Sequence, residues 1–154
     1  MHSHHAHPED RAERLVEAQR VCAGAGETLT PIRQKVLELL WAEGGPAKAY
    51  DLLAKMGGES GAAKPPTVYR ALDFLVRLGL AHRIESLNAF AACGVGACAR
   101  TTIFLICDSC GDAQEIDAGH AVVDLDHAAA AARFQIRRTV IEASGLCAQC
   151  QAAA

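Results

Sequence analysis

Apolar residues recur at helical spacing through the first half of the chain and predict four helices. The first helix opens at Pro8, carries Leu15, Ala18, Val21 and Cys22 on one face, and ends in the sequence AGAGE. Cys22 falls on the apolar face of this helix. We therefore expect it to be a core residue.

The next three helices have clear start and stop signals. The second has Thr30 as its cap, Pro31 at its first position and a Gly-Gly stop, and the third, AKAYDLLAKM, is closed by Gly57 and Gly58. The fourth is predicted to start at Pro66, with its apolar face running through Val68, Leu72, Leu75 and Val76 before Gly79.

Two short segments after the fourth helix, LAHRIES and AFAAC, flank the turn-forming pair LN and predict a small hairpin. A series of helices followed by such a hairpin is the order of elements in a winged helix-turn-helix domain. Beyond Cys93 the residue pattern changes. It predicts a Gly/Ala-rich loop, a strand in the β-prone run TTIFLIC, a short segment AQEID, an Ala-rich helix over about 120–133, and the strand FQIRRTVIEA. The chain is thus predicted to be α+β in class.

Composition narrows the class of protein. The 154 residues suit one ordinary domain or two small ones, and no apolar run approaches the roughly 18 residues of a membrane span. The start lacks the apolar centre of a signal peptide, so we expect a cytoplasmic protein with no membrane partner. The four histidines among the first seven residues are best explained as a tag remnant or a solvated tail.

Charge is divided unevenly along the chain. The net charge is −3, but eleven basic residues balance eleven acidic ones through Ser86, whereas four basic residues face seven acidic ones beyond it. Any surface that binds nucleic acid must therefore be local and lie in the first half.

Two Cys-x-x-Cys pairs carry the most specific chemistry, namely Cys107 with Cys110 and Cys147 with Cys150. Four thiolates in two such pairs can surround one tetrahedral Zn²⁺, a structural site. A pair of disulfides and a redox dithiol remain alternatives. The odd total of seven cysteines, in a reducing compartment, favours zinc. The long gap between the pairs requires a folded strand-helix-strand excursion.

Polar side chains near the start of the fourth helix suit a helix that enters the DNA major groove. Arg70 could contact guanine, Tyr69 could pack on a thymine methyl, and Thr67 could bond a phosphate. The pattern by itself fits an ordinary amphipathic surface helix equally well.

The segments LTPIRQKVLELL, KPPTVYRALDFLVRLGLAHRIES and CDSCG with VIEASGLCAQC resemble, in order and spacing, the ferric uptake regulator family and more closely its zinc uptake regulator branch. The resemblance covers about residues 10 to 150. It implies a dimeric, metal-dependent repressor in which an N-terminal winged helix binds an A·T-rich palindrome and a C-terminal α+β domain dimerises. The implied DNA-binding set is Tyr50, Lys64, Thr67, Tyr69 and Arg70.

The resemblance also implies a second, regulatory zinc at the hinge between the domains, two zinc ions per monomer in all. His82, Cys93 and Glu115 match the family's ligands, but Arg100 stands where the branch usually has a histidine. Cys98, two residues earlier, is the expected substitute. His120 and His127 are expected to be surface residues, because the His-rich strand motif of the iron and peroxide sensors is absent.

The sequence therefore predicts a zinc-responsive repressor, with a winged-helix DNA-binding domain at 9–92, a hinge loop at 93–99 and a zinc-stapled α+β dimerisation domain at 100–151. It predicts no enzyme and no small-molecule substrate, because no catalytic constellation is present beyond the proposed ligands. The alternatives are an iron or peroxide sensor of the same family, a zinc-ribbon adaptor that binds a protein, and a thiol oxidoreductase.

Overall fold

The computed structural model describes residues 8–57, 64–93, 101–116, 122–137 and 139–153. The chain divides into two compact units, residues 1–98 and 99–154. The elements in the first unit are α1 (Pro8–Gly24), α2 (Pro31–Glu43), α3 (Ala49–Met56), α4 (Pro65–Arg77), β1 (Ala81–Ile84) and β2 (Ala89–Ala92). Those in the second are β3 (Thr101–Cys107), β4 (Ala113–Ile116), α5 (Val123–Ala131), β5 (Thr139–Gly145) and α6 (Ala148–Ala152).

The first unit has the predicted winged-helix order. Its four helices pack around one apolar core that includes Cys22, Val36, Leu52 and Leu72. Cys22 is buried in that core, as its place on the apolar face of α1 predicted. The wing is an antiparallel pair of β1 and β2, and its turn includes Asn88 at a φ of 46°.

The helix boundaries in this unit follow the sequence signals with small differences. Thr30 occupies the cap position of α2, but its side chain makes no capping hydrogen bond. The prediction that α4 starts at Pro66 was wrong by one residue, since the helix starts at Pro65. The first helical turn accepts both prolines because its N–H groups have no intrahelical acceptor.

The second unit is α+β, with a three-stranded sheet in the order β4-β3-β5. The β3 and β4 strands are antiparallel, whereas β3 and β5 are parallel, with Cys107 opposite Gly145. Parallel neighbours need a crossover connection. The segment from β4 through α5 supplies it, which confirms the predicted excursion between the two cysteine pairs.

Two boundaries in the second unit differ from the prediction. The Ala-rich helix ends at Ala131 rather than Arg133, and its predicted start at His120 lies outside the described residues. Arg133 has a φ of 54°, and the N–H of Phe134 donates to the carbonyl of Ala129 at 2.8 Å, a helix-ending Schellman pattern. The predicted strand at 134–143 is therefore shifted, because Phe134 belongs to the helix cap and β5 starts at Thr139.

No helix among the described residues is long and apolar enough to cross a membrane.

Candidate metal centres and nucleic-acid interface

The two Cys-x-x-Cys pairs meet at one end of the parallel strands in the second unit. Cys107 is the last residue of β3, and Cys110 follows in a tight turn that needs Gly111 at a φ of 72°. Cys147 caps the N-terminus of α6, and Cys150 lies within that helix. The short helix α6 is not predicted by the sequence analysis, which identifies only the cysteine pair in this segment.

The four sulfur atoms have the spacing of a tetrahedral metal shell. All lie within 4.8 Å of one another, and the Sγ atoms of Cys110 and Cys147 are 3.9 Å apart. Four sulfurs at about 2.3 Å from Zn²⁺ would be separated by about 3.8 Å along each edge of a tetrahedron. The cluster therefore fits zinc.

Backbone hydrogen bonds prepare one of these thiols as a thiolate. The N–H of Cys147 donates to the Sγ of Cys107 at 3.4 Å. This bond, followed by that from the N–H of Cys110, lowers the pKa of Cys107 to about 6. A hydrogen bond with Ser109 lowers the pKa of Cys150, but the sulfurs of Cys147, Cys107 and Cys110 raise it further, to about 12.

The structure does not favour the two alternatives left open by the sequence. Cys107, Cys110, Cys147 and Cys150 are all free cysteines, not disulfides. A thioredoxin-like dithiol stands at the start of a helix in a βαβ unit. Cys107 is followed by a turn, and although Cys147 caps α6, no strand follows that helix among the described residues.

Two of the predicted regulatory ligands lie together on the wing. His82 is in β1, Cys93 directly follows β2, and both are buried. A ring nitrogen of His82 lies within 4.8 Å of the Cys93 sulfur. The N–H of Cys93 donates to the carbonyl of Leu80 at 3.1 Å, which fixes the backbone beside β1. Cys93 is disulfide-bonded in this structure, and its sulfur could bind metal only in the reduced form.

The other members of the predicted regulatory set belong to different parts of the chain. Glu115 is an exposed residue of β4 in the second unit, opposite Phe104 of β3. Cys98 and Arg100 lie outside the described residues, as does His120. His127 is exposed on α5, in keeping with its prediction as a surface residue.

Four of the five residues predicted to contact DNA are on α4 or at its cap. Tyr69 is 50% exposed and Arg70 is also exposed, while Thr67 is half-buried and Lys64 is the cap residue of the helix. The opposite face packs in the core through Val68, Ala71, Leu72, Phe74 and Leu75.

Tyr50, at the start of α3, is 76% exposed, an unusual position for a large aromatic ring. The first unit therefore presents two tyrosines and a guanidinium group on the helices that precede its wing.

Comparison with known proteins agrees with this geometry. No family model matches the chain. The zinc uptake regulation protein of Escherichia coli (strain K12) is 43% identical over 140 residues, which cover 90% of this chain and 81% of that protein. A solved zinc uptake regulator complexed with zinc and DNA has a TM-score of 0.84 at 40% identity, with 93% of this chain and 96% of that chain covered.

The structure of holo XcZur is similar as well. It has a TM-score of 0.78 at 41% identity, and the match covers 92% of this chain and 99% of that chain. On the identity and coverage of these relatives, the chain belongs to the family of the zinc uptake regulation proteins.

Proposed function

We propose that this protein is a zinc-responsive transcriptional repressor that binds palindromic operator DNA as a zinc-loaded homodimer and switches off zinc-uptake genes. The observation that carries the proposal is the pairing of a tetrahedral Cys₄ cluster with a winged helix whose α4 exposes Tyr69 and Arg70. The similarity to a zinc uptake regulator in complex with zinc and DNA supports it. Such a regulator acts in the cytoplasm and is not an enzyme.

The two units have separate tasks in this proposal. Residues 9–92 bind DNA, residues 93–99 form a hinge, and residues 100–151 dimerise. Among the residues that the structure describes, six of the ten exposed large hydrophobic side chains lie in the second unit, which suits a surface that a second copy covers. They are Leu105, Val123, Leu125, Phe134, Val140 and Leu146.

Cys107, Cys110, Cys147 and Cys150 hold a structural zinc ion in this proposal. Zinc at this position supplies four strong bonds to thiolates and has no open coordination position for catalysis. The thiolates come from the end of β3 with the turn after it and from the start of α6, which follows β5. The ion would therefore hold the C-terminal ends of the parallel strands β3 and β5 together.

His82, Cys93, Cys98 and Glu115 form the regulatory zinc site in this proposal. Support comes from the proximity of His82 to the Cys93 sulfur and from the match of three positions to the family's ligands. Two thiolates, an imidazole and a carboxylate make a donor set that suits Zn²⁺ better than Fe²⁺. This choice of donors disfavours an iron or peroxide sensor.

The ligands of the regulatory site come from both units of the chain. A metal ion that binds all four ligands would require an arrangement of the units in which those ligands meet. It would stabilise that arrangement because it binds it more tightly than it binds other arrangements. The DNA-competent dimer is therefore populated when zinc is ample. Reduced Cys93 is required for this response.

Operator binding depends on α4 and its surroundings. Arg70 donates to a guanine edge, Tyr69 packs on a thymine methyl, and Thr67 bonds a phosphate. Tyr50 and Lys64 add contacts to the DNA backbone, where cationic and hydroxyl groups bind without reading the sequence.

The test combines zinc counting with DNA binding. Elemental analysis of the reduced protein should give two zinc ions per monomer, and mild chelation should remove one of them. Binding to a duplex selected from a random-sequence library should be lost with that ion and regained when zinc is restored. Tight binding to DNA that is unaffected by chelation, or no selection of any sequence, would contradict the proposal.

A further inference from the structure

A carboxylate in the linker between α1 and α2 contacts two arginines from different helices. Glu27 accepts a hydrogen bond from Arg77 of α4, with its Oε1 2.8 Å from the guanidinium nitrogen. Its Oε2 lies 3.8 Å from Arg33 of α2. Arg33 in turn donates to the carbonyl of Thr28 at 2.7 Å, so the linker is tied to α2 twice.

The two arginines also share one aromatic ring. The guanidinium carbon of Arg33 is 3.5 Å from the centroid of Phe74, and that of Arg77 is 5.4 Å from it. Two cations beside one ring repel each other, and the Glu27 carboxylate offsets that repulsion. We refer to Glu27, Arg33, Phe74 and Arg77 as the Glu27 cluster.

The end of α1 holds Glu27 in place. Gly26 has a φ of 70°, and the N–H of Glu27 donates to the carbonyl of Cys22 at 2.9 Å. With the bond from Gly26 N–H to the carbonyl of Ala23 at 3.0 Å, this is a Schellman ending, in which the backbone of Glu27 is fixed by the helix. The carboxylate therefore starts from a defined position.

The cluster acts on the helix that carries the proposed base contacts. Phe74 is 4% exposed and lies one helical turn after Arg70. Any rotation or slide of α4 that moved Phe74 away from Arg33 would also move Arg70 and Tyr69. The linker, α2 and α4 are thus coupled through one carboxylate.

We propose that Glu27 is a positioning residue for operator recognition, which acts through Arg33, Arg77 and Phe74 on the orientation of α4. The inference rests on the proposed function, because it requires α4 to read DNA. Both carboxylate oxygens of Glu27 face arginines of the protein, and a carboxylate repels phosphate, so the proposal gives Glu27 no DNA contact of its own. Its removal should weaken specific binding although it removes a negative charge.

The direction of this change in affinity distinguishes a positioning role from a simple effect of charge. Replacement of Glu27 by Gln makes the unit one charge more positive, and charge by itself would strengthen binding to every DNA sequence. Positioning predicts instead a roughly three- to tenfold loss of affinity for the selected sequence, the range typical of one charge-assisted contact. Affinity for an unrelated sequence should stay equal or rise.

The experiment uses the full-length, reduced, zinc-loaded protein and duplexes that the wild type selects from a random-sequence library. Affinities of Glu27→Gln for the selected and for an unrelated duplex are measured over a series of salt concentrations. The matched control is Glu38→Gln, which removes a carboxylate that accepts from Arg11 at 2.8 Å but ties α1 to α2 rather than to α4. The slope of log K against log salt should equal that of the wild type, since no phosphate contact is lost.

Arg33→Lys serves as a second variant in case Glu27→Gln does not fold. It keeps the charge but loses the planar group that stacks on Phe74. It should likewise lower the ratio of specific to non-specific affinity, with thermal unfolding used to show that each variant is folded at the assay temperature.

Each outcome decides the question. A folded Glu27→Gln that matches Glu38→Gln on the selected duplex, or that loses affinity equally for both duplexes, overturns the inference and leaves the proposed function standing. A third variant, Arg33→Gln, removes the charge, and a salt slope shallower by about 0.9 in that variant would make Arg33 a phosphate contact and also overturn the inference. Failure of the wild type to select any sequence overturns both.

Discussion

Replacement of Cys147 by Ser should unfold the second unit or dissociate the dimer, because zinc would stabilise that unit about as much as its described apolar core does. Among its described residues, Phe104 and Ile106 are buried, and a core cluster consists of Ile103 and Val122, with Ile116 and Ile141 packed against it. Six such side chains at about 1.5 to 3 kcal/mol each contribute at most about 9 to 18 kcal/mol when fully buried. Structural zinc in small domains contributes about 10 to 16 kcal/mol.

Zinc would therefore stabilise this unit about as much as those side chains do, and the Ser variant has three thiolates in place of four. The first unit should remain folded, since its own core of helices contains no residue of the Cys₄ cluster. Trp41, the one tryptophan of the chain, packs against that core and reports on it.

The assay follows both units at once. Circular dichroism and analytical ultracentrifugation should show loss of β-structure and of the dimer, while Trp41 fluorescence keeps its wild-type unfolding midpoint. Gln149→Ala, at an exposed position of α6 between Cys147 and Cys150, removes an amide but no sulfur and is the matched control. A Cys147→Ser protein that is a well-folded dimer without zinc in the cluster would refute the reasoning.

Three further predictions concern the proposed DNA-binding helix and the two proposed zinc sites. Arg70→Ala should weaken binding to the selected operator by about 1 to 3 kcal/mol and relax the preference at one guanine per half-site, and titration at fixed salt would measure both; unchanged affinity would remove α4 from the groove. Cys98→Ser should keep one zinc per monomer but lose zinc-dependent DNA binding at low free zinc; elemental analysis beside a DNA titration tests it, and full zinc response in the variant would assign the ligand elsewhere. The zinc affinity of the Cys₄ cluster should fall as the pH falls, because protons compete for the thiolates. The fall should steepen below about pH 6, where Cys107 also takes up a proton. Competition with a chromophoric chelator over about pH 5 to 8 measures this affinity, and a constant affinity would contradict the prediction.

The sequence predicted the first unit well because its signals are local. Pro31 and Gly44 mark the ends of α2, and the apolar positions of α4 coincide with its buried face. The cysteine pairs were equally informative, since two short spacings determine which four atoms can share one ion. The sequence could not show that α4 starts one residue early, because two adjacent prolines both suit a first turn.

The second unit was predicted less well because tertiary context determines its boundaries. Phe134 has strong β-propensity, yet it closes α5 through a bond to Ala129. The helix α6 has five residues, and its start depends on Cys147 being fixed at the cap. The Glu27 cluster was not predicted either, since Glu27 and Arg77 are 50 residues apart and nothing local pairs them.

The parallel pairing of β3 with β5 has a consequence for how fast this unit folds. Cys110 and Cys147 are 37 residues apart, and closing a loop of that length costs about 3 kcal/mol of chain entropy before any strand contact forms. Such non-local pairing makes folding slow. An unfolded chain that has already captured zinc through both cysteine pairs begins with that loop closed. Refolding in the presence of zinc should therefore be faster as well as more complete, and the metal would act as a folding nucleus.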